Sequence, residues 1–431
     1  MIVIWLVALF YIIAGFLFQY HITDTHYLTF SFIIFTVIVL FFVLFFNYTR
    51  FFIIIYISFI VRIMMMLIDT REGETIIPHS GEDTENFYET GIQISNFLPL
   101  LSDEVYGGFY SKFLGLLFYM YGGDRIFAQF LNILITITAI LIIIHVFRML
   151  RISREVQFLL VVLLSLFPHS LIFSSILMRE SFISITVVLS LYFFVRWFKK
   201  KERTSAVLSV IFIILGASFH TAVIGILMGY LFGFIFYKHA LRRFKFSVES
   251  LVPFSIFAVV TTYMLVFPDM VSGLPIFNKV DQVFNDDGGL YETVTSATGN
   301  TAYLQGLTVN NLFQLLLYSP IKIIYFIASP MPWNIGNLNE FVGFILDGVF
   351  YLFALFIFIK NFNIIRERPI LAILLISILA AWFIFGLAIN NAGTALRHRF
   401  KFFYIIVVAL GIVWDQRKNI RSTTSDKIKK I

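Results

Sequence analysis

The chain has 431 residues, of which 59% are hydrophobic and 13% are charged, and its sequence contains no cysteine. A soluble domain has about 45–50% apolar and about 25% charged residues, so this composition excludes an ordinary soluble protein. The lack of cysteine excludes disulfides, thiolate metal ligands and a cysteine nucleophile. The formal net charge is +7. Its distribution along the chain predicts a membrane topology and gives no indication of nucleic-acid binding.

Long unbroken apolar blocks recur along the chain and predict membrane-spanning helices, because a helical span needs about 20 apolar residues. The regular blocks lie at about 3–19, 28–46, 51–68, 126–147, 157–174, 181–197, 250–267, 341–359, 370–388 and 402–414. Two further stretches are less regular. Residues 206–237 are too long for one span and short for two, and residues 312–331 end in a proline-containing run. We predict an all-α polytopic membrane protein with roughly 11–13 transmembrane helices and a re-entrant hairpin at 206–237.

Lysine and arginine residues cluster in the short loops between the apolar blocks and so predict the orientation of the chain. The clusters lie at 148–154, 199–203, 238–245, 360–368 and 417–430. All of them fall on one side of the membrane if 206–237 is a hairpin and 312–331 returns to the side that it left. Both termini of this multi-pass protein are then cytoplasmic.

The same topology predicts the domain organisation. We expect a single membrane domain over residues 1–431, with two larger outer loops at about 69–125 and 268–311. A cytoplasmic tail follows at about 416–431, and its basic residues favour contact with anionic membrane lipids.

The first outer loop is the most acidic part of the chain and is rich in aromatic residues. The run Glu82-Asp83-Thr84-Glu85-Asn86-Phe87-Tyr88 is followed by Tyr106-Gly107-Gly108-Phe109-Tyr110. A general base must lie near the water boundary and face a polar acceptor, so this cluster of carboxylates supplies candidates, Asp83 among them. A solvated acidic loop is the alternative interpretation for any single carboxylate.

The pair Arg179-Glu180 marks the predicted outer end of the span at 181–197. The N-terminal end of a helix favours negative charge, so Glu180 suits the first turn. Arg179 beside it can donate two parallel hydrogen bonds to phosphate oxygens. The alternative is an ion pair at the membrane interface that anchors the helix.

His220 lies in the run Gly216-Ala217-Ser218-Phe219-His220-Thr221, at the apex of the predicted hairpin. Irregular backbone at membrane depth is tolerated only against protein or a water-filled cavity. His220 is therefore a candidate proton acceptor or phosphate ligand, since the ordinary pKa of histidine is about 6.5. A hydrogen-bonded packing residue is the alternative.

The strongest cluster is Asn390-Asn391-Ala392-Gly393-Thr394-Ala395-Leu396-Arg397-His398-Arg399-Phe400-Lys401. It lies on the outer side in the predicted topology, where basic clusters are otherwise rare. Such an exception to the positive-inside rule, next to polar Asn, Gly and Thr, favours an anionic ligand. The alternative is that the last two spans are inverted, which would leave the basic C-terminal tail outside.

Two charged residues fall inside predicted spans. Arg62 lies about two turns from the outer end of the span at 51–68, and Asp347 lies at a comparable depth in the span at 341–359. A charge at such depth is unfavourable unless it is paired or reaches the interface. Arg62 can snorkel or point inward toward a loop carboxylate, and the roles of both residues stay open.

Taken together, the outer face offers arginines for a diphosphate, carboxylates for a base and aromatic rings for stacking on sugars. The aromatic residues concerned are Tyr88, Tyr106, Tyr110 and Trp333. This combination suits a lipid-diphosphate-linked saccharide, whose diphosphate leaving group needs cationic stabilisation while a base deprotonates the attacking hydroxyl. Because arginines can neutralise the leaving charge, no metal or other cofactor is expected.

The sequence resembles bacterial multispanning polysaccharide polymerases of the EpsG and Wzy type and GT-C-type glycosyltransferases, over most of the chain after about residue 60. The motifs that carry the likeness to the polymerases are Leu177-Met178-Arg179-Glu180-Ser181-Phe182 and Ala217-Ser218-Phe219-His220-Thr221-Ala222. Those similar to GT-C transferases are Asp83-Thr84-Glu85-Asn86-Phe87-Tyr88, Tyr110-Ser111-Lys112-Phe113-Leu114 and Gly122-Gly123-Asp124-Arg125. The run Gly393-Thr394-Ala395-Leu396-Arg397-His398-Arg399 is similar to the arginine-bearing outer segment of both groups.

One departure from the GT-C pattern favours a polymerase. Members of that group tend to carry an acidic pair directly after the first span, whereas here two further spans precede the pair Glu82-Asp83. The alternatives are a GT-C transferase that adds one sugar from a polyprenyl-phosphate donor, and a flippase or transporter for the lipid-linked saccharide.

The resemblance and the residues together give one functional hypothesis: a polymerase of lipid-diphosphate-linked oligosaccharide units for capsular, extracellular or O-antigen polysaccharide. Its substrate is a polyprenyl-diphosphate-linked oligosaccharide, and other polysaccharide-assembly proteins are expected partners. The expected diphosphate ligands are Arg179, Arg397, His398 and Arg399. The expected catalytic residues are Asp83, Glu180 and His220, and the expected saccharide contacts are Glu82, Tyr88, Tyr110 and Trp333. The hypothesis requires Arg179 and Arg397, which are far apart in sequence, to share one pocket.

Overall fold

The computed structural model describes residues 1–18, 25–71, 77–248, 250–252, 255, 301–307, 309, 312–336 and 338–428. Most of the span predicted at 250–267 and most of the outer loop predicted at 268–311 lie outside the described residues. The described chain forms two compact units, of which unit 1 comprises Met1–His145 and Ser153–Ile185, and unit 2 comprises Val146–Ile152 and Thr186–Ile431.

Unit 1 consists of helices and connecting loops, with no strand among its described residues. Its helices are α1 (Ile2–Phe18), α2 (His26–Asn47), α3 (Phe52–Asp69), α4 (Glu82–Asn96), α5 (Phe109–Tyr121), α6 (Arg125–Leu150), α7 (Arg154–Leu166) and α8 (Pro168–Ser175). The predicted spans at 28–46 and 51–68 match α2 and α3 within two residues at each end.

Unit 2 takes in the C-terminal end of α6, most of α9 and the elements that follow, which include a small hairpin of two strands. Its helices are α9 (Glu180–Lys200), α10 (Arg203–Phe219), α11 (Gly225–Phe236), α12 (Leu312–Ala328), α13 (Leu338–Gly343), α14 (Val349–Lys360), α15 (Phe362–Glu367), α16 (Pro369–Ala388), α17 (Ala392–Phe400) and α18 (Phe403–Ile428). Strands β1 (Tyr237–Lys238) and β2 (Arg243–Phe244) pair antiparallel, with Tyr237 opposite Phe244.

The chain is an all-α polytopic membrane protein, as its sequence predicts. Six described helices have at least 18 residues and are apolar enough to cross a membrane, and a bent pair, α7 with α8, supplies a seventh if it is one span. Shorter apolar helices are Ile2–Leu17, Arg203–Phe219, Thr221–Phe236 and Phe313–Ala328. The larger number of spans predicted from hydropathy stays a prediction.

The span predicted at 157–174 is broken into α7 and α8, which meet at an angle of 45°. The cause is Pro168, which has no N–H to continue the helical ladder and keeps the preceding Phe167 extended, at φ −60° and ψ 125°. Arg62 on α3 stabilises the break. It donates to the carbonyl oxygen of Ser165 at 3.1 Å, and to the side-chain oxygens of Ser170 and Ser174 at 2.9 Å each.

The helix is interrupted at His220, near the middle of 206–237, and the re-entrant hairpin predicted there stays a prediction. The His220 backbone is extended, at φ −159° and ψ 109°, and this ends α10. A single 3-10 turn, Thr221–Ile224, then leads into α11. The His220 side chain is therefore displayed at a helix end, where it can contact other elements.

A line of glycines brings α11 close to α16. Gly225, Gly229 and Gly233 recur at every fourth position and face α16. A Cβ atom added at Gly229 would lie 2.5 Å from the amide nitrogen of Ser377 and 2.6 Å from the carbonyl oxygen of Ile373. Small residues at this spacing let two membrane helices approach until their backbones are in contact, and this contact fixes α16 beside the break at His220.

Candidate functional site

Six of the sequence-predicted site residues lie in unit 1, and two of them meet at the ring of Phe87 on α4. The six are Glu82, Asp83, Tyr88, Tyr110, Arg179 and Glu180. The Phe87 ring contacts Tyr106 and Tyr110, with centroids 5.4 and 5.1 Å away. The Arg179 guanidinium carbon lies 5.8 Å from the Phe87 centroid. Residues predicted from separate motifs, Tyr110 and Arg179, therefore meet at one aromatic side chain.

The two carboxylates at the start of α4 differ in their surroundings. Glu82 is exposed, whereas Asp83 is partly buried and accepts a hydrogen bond from the Tyr106 hydroxyl. Because α4 begins at Glu82, both carboxylates lie in the first turn, where negative charge is favoured by the helix dipole.

Arg125 connects three carboxylate and aromatic partners at the start of α6. Its Nη1 donates to both oxygens of Glu85, at 2.7 and 2.9 Å, and its Nη2 lies 3.5 Å from Oδ2 of Asp69. Its guanidinium also lies over the Tyr88 ring, 5.9 Å from the centroid. Neither Arg125 nor Asp69 was predicted as a site residue from the sequence.

The Tyr88 hydroxyl is a hydrogen-bond donor in this setting. It donates to the carbonyl oxygen of Gly123 at 2.9 Å. Burial raises the pKa of Tyr88 above its ordinary value, and the nearby Arg125 opposes this only in part. Tyr88 therefore stays protonated at neutral pH and supports the turn between α5 and α6.

Glu180 is the first residue of α9 and is completely buried, whereas Arg179 beside it is partly exposed. Both interact electrostatically with the buried hydroxyl of Tyr110. The predicted start of a helix at this pair is confirmed. The pair therefore presents a carboxylate and a guanidinium to the same tyrosine.

In unit 2, the structure brings His220 together with the 390–401 segment. The rings of His220 and His398 lie 4.6 Å apart, and both contact Phe385, at 5.1 and 4.8 Å. The Nζ atom of Lys401 lies 2.5 Å from Nδ1 of His398 and 5.3 Å from the Phe385 centroid. Because a lysine ammonium can only donate, this contact leaves His398 as acceptor at Nδ1 and donor at Nε2.

The 390–401 segment contains a short helix, α17, and hydrogen bonds to Asn390 and Asn391 fix its start. The side chain of Asn391 accepts hydrogen bonds from the Thr394 amide at 3.2 Å and the Thr301 hydroxyl at 2.8 Å. The Tyr303 amide donates to the carbonyl oxygen of Asn390 at 2.8 Å. Asn at the N-cap satisfies a backbone N–H that the helix leaves without a partner, so α17 begins at a defined position.

Arg399 is completely buried, and protein atoms engage both of its terminal nitrogens. Nη1 donates to the carbonyl oxygen of Phe326 at 2.8 Å, and Nη2 donates to that of Ser329 at 2.6 Å. Nη2 also lies 2.5 Å from Oδ2 of Asp347, which is likewise completely buried. These contacts suit a positioning role for Arg399, whereas Arg397, two residues earlier on α17, is partly exposed.

The carboxylate of Asp347 reaches Arg399 because the helix around it is irregular. A π-helical segment, Phe344–Gly348, separates α13 from α14. π-Helical segments are rare in proteins, and those that occur often lie at functional sites. A Cβ atom added at Gly348 would lie 2.8 Å from the carbonyl oxygen of Ala328, so a glycine at this position lets the segment approach the end of α12.

Another buried cation, Lys322, lies on α12. It was not predicted from the sequence because the surrounding run is apolar. It is completely buried and donates to the side-chain oxygen of Asn390. A lysine inside an apolar block is the signal that could have identified it. Lys322 therefore links α12 to Asn390, two residues before α17.

Trp333 follows α12 and is 70% exposed. Its Nε1 donates to the Tyr325 hydroxyl at 3.1 Å, and the ring of Tyr325 lies 5.3 Å from that of Tyr303. An exposed indole next to two tyrosines is a surface on which a sugar ring can stack. The predicted saccharide role of Trp333 stays a prediction.

Among the described residues, no group of three or more His, Asp or Glu side chains is arranged to hold a metal ion. Comparisons with known protein families, with curated proteins and with solved structures find no match to this chain.

Proposed function

We propose that this protein is a membrane-embedded polymerase that joins lipid-diphosphate-linked oligosaccharide units on the outer face of the bacterial plasma membrane. The observation that carries the proposal is the cluster in unit 2 formed by His220, His398 and Lys401 beside the partly exposed Arg397. These groups lie next to apolar helices, where a lipid would present an anionic headgroup.

The reaction requires that the diphosphate leaves with a pair of electrons. The hydroxyl oxygen of one oligosaccharide attacks the anomeric carbon that carries the diphosphate, the bond from that carbon to the diphosphate oxygen breaks, and the hydroxyl proton passes to a base. Cationic donors that are held in place before the reaction stabilise the departing charge without reorganisation. Arg397 and the Nε2–H of His398 are assigned to this role. Lys401, which is completely buried and lies against His398, is assigned to orienting that imidazole.

Arg399 is assigned to positioning in this proposal. Its contacts to Asp347 and to two backbone carbonyls hold α17 against α12, which fixes the direction in which Arg397 and His398 point. A catalytic arrangement needs such supporting contacts, since small displacements of a reacting group lower the rate strongly.

The base remains to be chosen among the three predicted carboxylate and imidazole groups. His220 contacts the diphosphate cluster in unit 2 directly. Asp83 and Glu180 lie in unit 1 with Arg179, where Tyr88 and Tyr110 are the proposed saccharide contacts. A neutral His220 suits proton transfer near neutral pH.

The test is the replacement Arg397→Ala in the full-length protein, purified in detergent and supplied with lipid-diphosphate-linked oligosaccharide extracted from producing cells. We expect the ladder of polymer lengths to be lost, because the leaving diphosphate has lost a charged donor. The matched control is Arg366→Ala, which removes an exposed arginine on the side predicted to be cytoplasmic and should leave the ladder unchanged. An unchanged ladder in stably folded Arg397→Ala would contradict the proposal.

The same assay separates the proposed polymerase from its alternatives. A transferase that adds one sugar would give a single added residue in place of a ladder. A transporter would form no glycosidic bond in detergent, where there is no second compartment.

A further inference from the structure

Four exposed cations meet at one end of unit 2. Lys199 interacts electrostatically with Arg151, Arg242 and Arg368, and all four side chains are exposed. They come from four separate segments of this unit, namely the residue after α6, the last turn of α9, the loop of the β1–β2 hairpin and the residue before α16. Each segment belongs to a different one of the basic clusters that the sequence predicts on one side of the membrane. These four residues form the basic surface.

Aromatic contacts hold the β1–β2 hairpin against the end of α9. The rings of Phe198 and Tyr237 stack with centroids 4.4 Å apart, and the ring of Trp197 lies 5.0 Å from that of His239. The loop of the hairpin therefore lies beside the last turn of α9. Packing of rings brings these cations together, although their charges repel one another.

Three basic residues at this end of unit 2 adopt a backbone conformation that favours glycine. Arg151, Lys201 and Arg242 have φ values of 59°, 60° and 52°. Around Arg151, two backbone hydrogen bonds of 3.1 Å close the end of α6 in the pattern in which a glycine commonly follows a helix. A side chain in this conformation is strained by its Cβ atom. Such strain is concentrated at functional sites, so the cations at these positions indicate a function other than stabilising the fold.

No carboxylate of the described residues forms an ion pair with the basic surface. Glu202, the carboxylate nearest in sequence to Lys199, is engaged by Arg196 at 2.5 Å. Arg368 donates to the neutral side chain of Gln416. Like charges that are held close together repel, so a bound anion would stabilise this arrangement.

The position of the basic surface along the helices favours a lipid as the source of the anion. Helices α6, α9 and α16 are each long and apolar enough to cross a membrane, and Arg151, Lys199 and Arg368 lie within one residue of their ends. The ends of spanning helices lie at the level of the lipid headgroups. Next to Arg242, the side chain of Leu241 is 45% exposed, which adds an apolar group beside the cations. Basic residues between membrane helices are known to bind anionic headgroups.

We propose that Arg151, Lys199, Arg242 and Arg368 bind the phosphate of an anionic phospholipid, whose acyl chains lie along the apolar surface of the neighbouring helices. This goes beyond the general attraction of basic loops to an anionic membrane, because cations from four separate segments share one headgroup. The inference is independent of the proposed polymerase reaction, since none of these four residues is assigned a part in it.

The test is the pair of replacements Arg151→Gly and Arg242→Gly in the full-length protein. Glycine removes each charge and adopts the left-handed backbone without strain, so the fold is kept. The protein in neutral detergent is titrated with phosphatidylglycerol, and the apparent Tm is measured, because a ligand of the folded state raises Tm. We expect the wild type to show a saturable rise that weakens at high salt, and little rise with phosphatidylcholine of the same acyl chains. The phosphatidylglycerol concentration at half of the maximal rise should increase about 5-fold in each single variant and about 25-fold in the double variant.

Two control variants separate the loss of charge from the change of backbone. Leu304→Gly introduces glycine at another left-handed position, at φ 54°, and removes no charge. Arg50→Gln removes an exposed arginine of unit 1 on the side predicted to be cytoplasmic. Both should respond to phosphatidylglycerol as the wild type does. Without added lipid, the double variant should keep a Tm close to that of the wild type, and if it does not, the single variant Arg151→Gly decides.

The proposal is overturned if the wild type responds equally to phosphatidylglycerol and phosphatidylcholine, or to neither. A glycine variant with the half-saturation of the wild type would overturn it as well. A third titration, with inorganic diphosphate, distinguishes a lipid headgroup from a free phosphate. If inorganic diphosphate raises the Tm of the wild type as much as phosphatidylglycerol does, and the double variant loses this rise, the surface binds a soluble anion and the lipid is excluded.

Discussion

The buried ion pair between Asp347 and Arg399 gives the sharpest prediction about stability and function together. Both side chains are completely buried, and their atoms approach to 2.5 Å. Asp347→Asn keeps the size of the side chain and removes its charge. Arg399 then keeps its hydrogen bonds to the carbonyl oxygens of Phe326 and Ser329, but its charge loses this carboxylate partner.

The size of the effect follows from burial. Removal of one partner of a buried ion pair costs about 3–5 kcal/mol, because the remaining charge stays away from water without compensation. In a folded unit of roughly 250 residues, 1 kcal/mol corresponds to about 2–4 °C in Tm. We therefore expect Asp347→Asn to lower the apparent Tm by about 6–20 °C.

The assay is thermal unfolding of the purified protein in detergent, followed by the loss of its monodisperse peak on a sizing column. Asp103→Asn, at an exposed position, is the control for loss of a negative charge and should leave Tm unchanged. A change in Tm of less than about 2 °C for Asp347→Asn would refute the reasoning, since a buried pair costs more than this to break.

The double replacement Asp347→Leu with Arg399→Met separates positioning from diphosphate binding. Replacing both partners with apolar side chains is often neutral or stabilising, so Tm should return to within a few degrees of the wild type. If Arg399 acts by positioning, part of the polymerase activity should return with Tm. If activity stays absent at restored Tm, Arg399 binds the diphosphate directly, as its sequence motif predicts.

Three further predictions concern stability and are measured in the same detergent assay. Gly229→Ala should lower Tm by several degrees, because overpacking against the backbone of α16 costs about 1–3 kcal/mol. The control is Gly343→Ala, whose added Cβ would lie 3.6 Å from its nearest neighbour. This control should leave Tm equal or higher. Thr29→Val removes a 2.5 Å hydrogen bond to the buried Asp124 and should cost about 1.5–3 kcal/mol, whereas an unchanged Tm would show that this bond adds no net stability. Arg62→Met should speed amide hydrogen exchange in residues 165–175, and protection equal to wild type would rule out its role at the break between α7 and α8.

Local sequence patterns were sufficient to predict the long apolar helices and the start of α9. The apolar runs at 28–46, 51–68 and 370–388 correspond to α2, α3 and α16, because a helix in lipid satisfies its own backbone and needs only a long apolar surface. Pro168 indicates a break in the span at 157–174. The uniformly apolar composition of that run nevertheless led to the prediction of a single continuous span.

The partners of the buried polar residues were decided only by the tertiary structure. Lys322 and Asn390 are 68 residues apart in sequence, and Asp69 and Gln129 are 60 residues apart. Nothing in the residues around each one specifies its partner. A charge or an amide inside an apolar helix shows that a partner must exist, but the helix packing, set by close contacts such as that at Gly229, determines which one it meets.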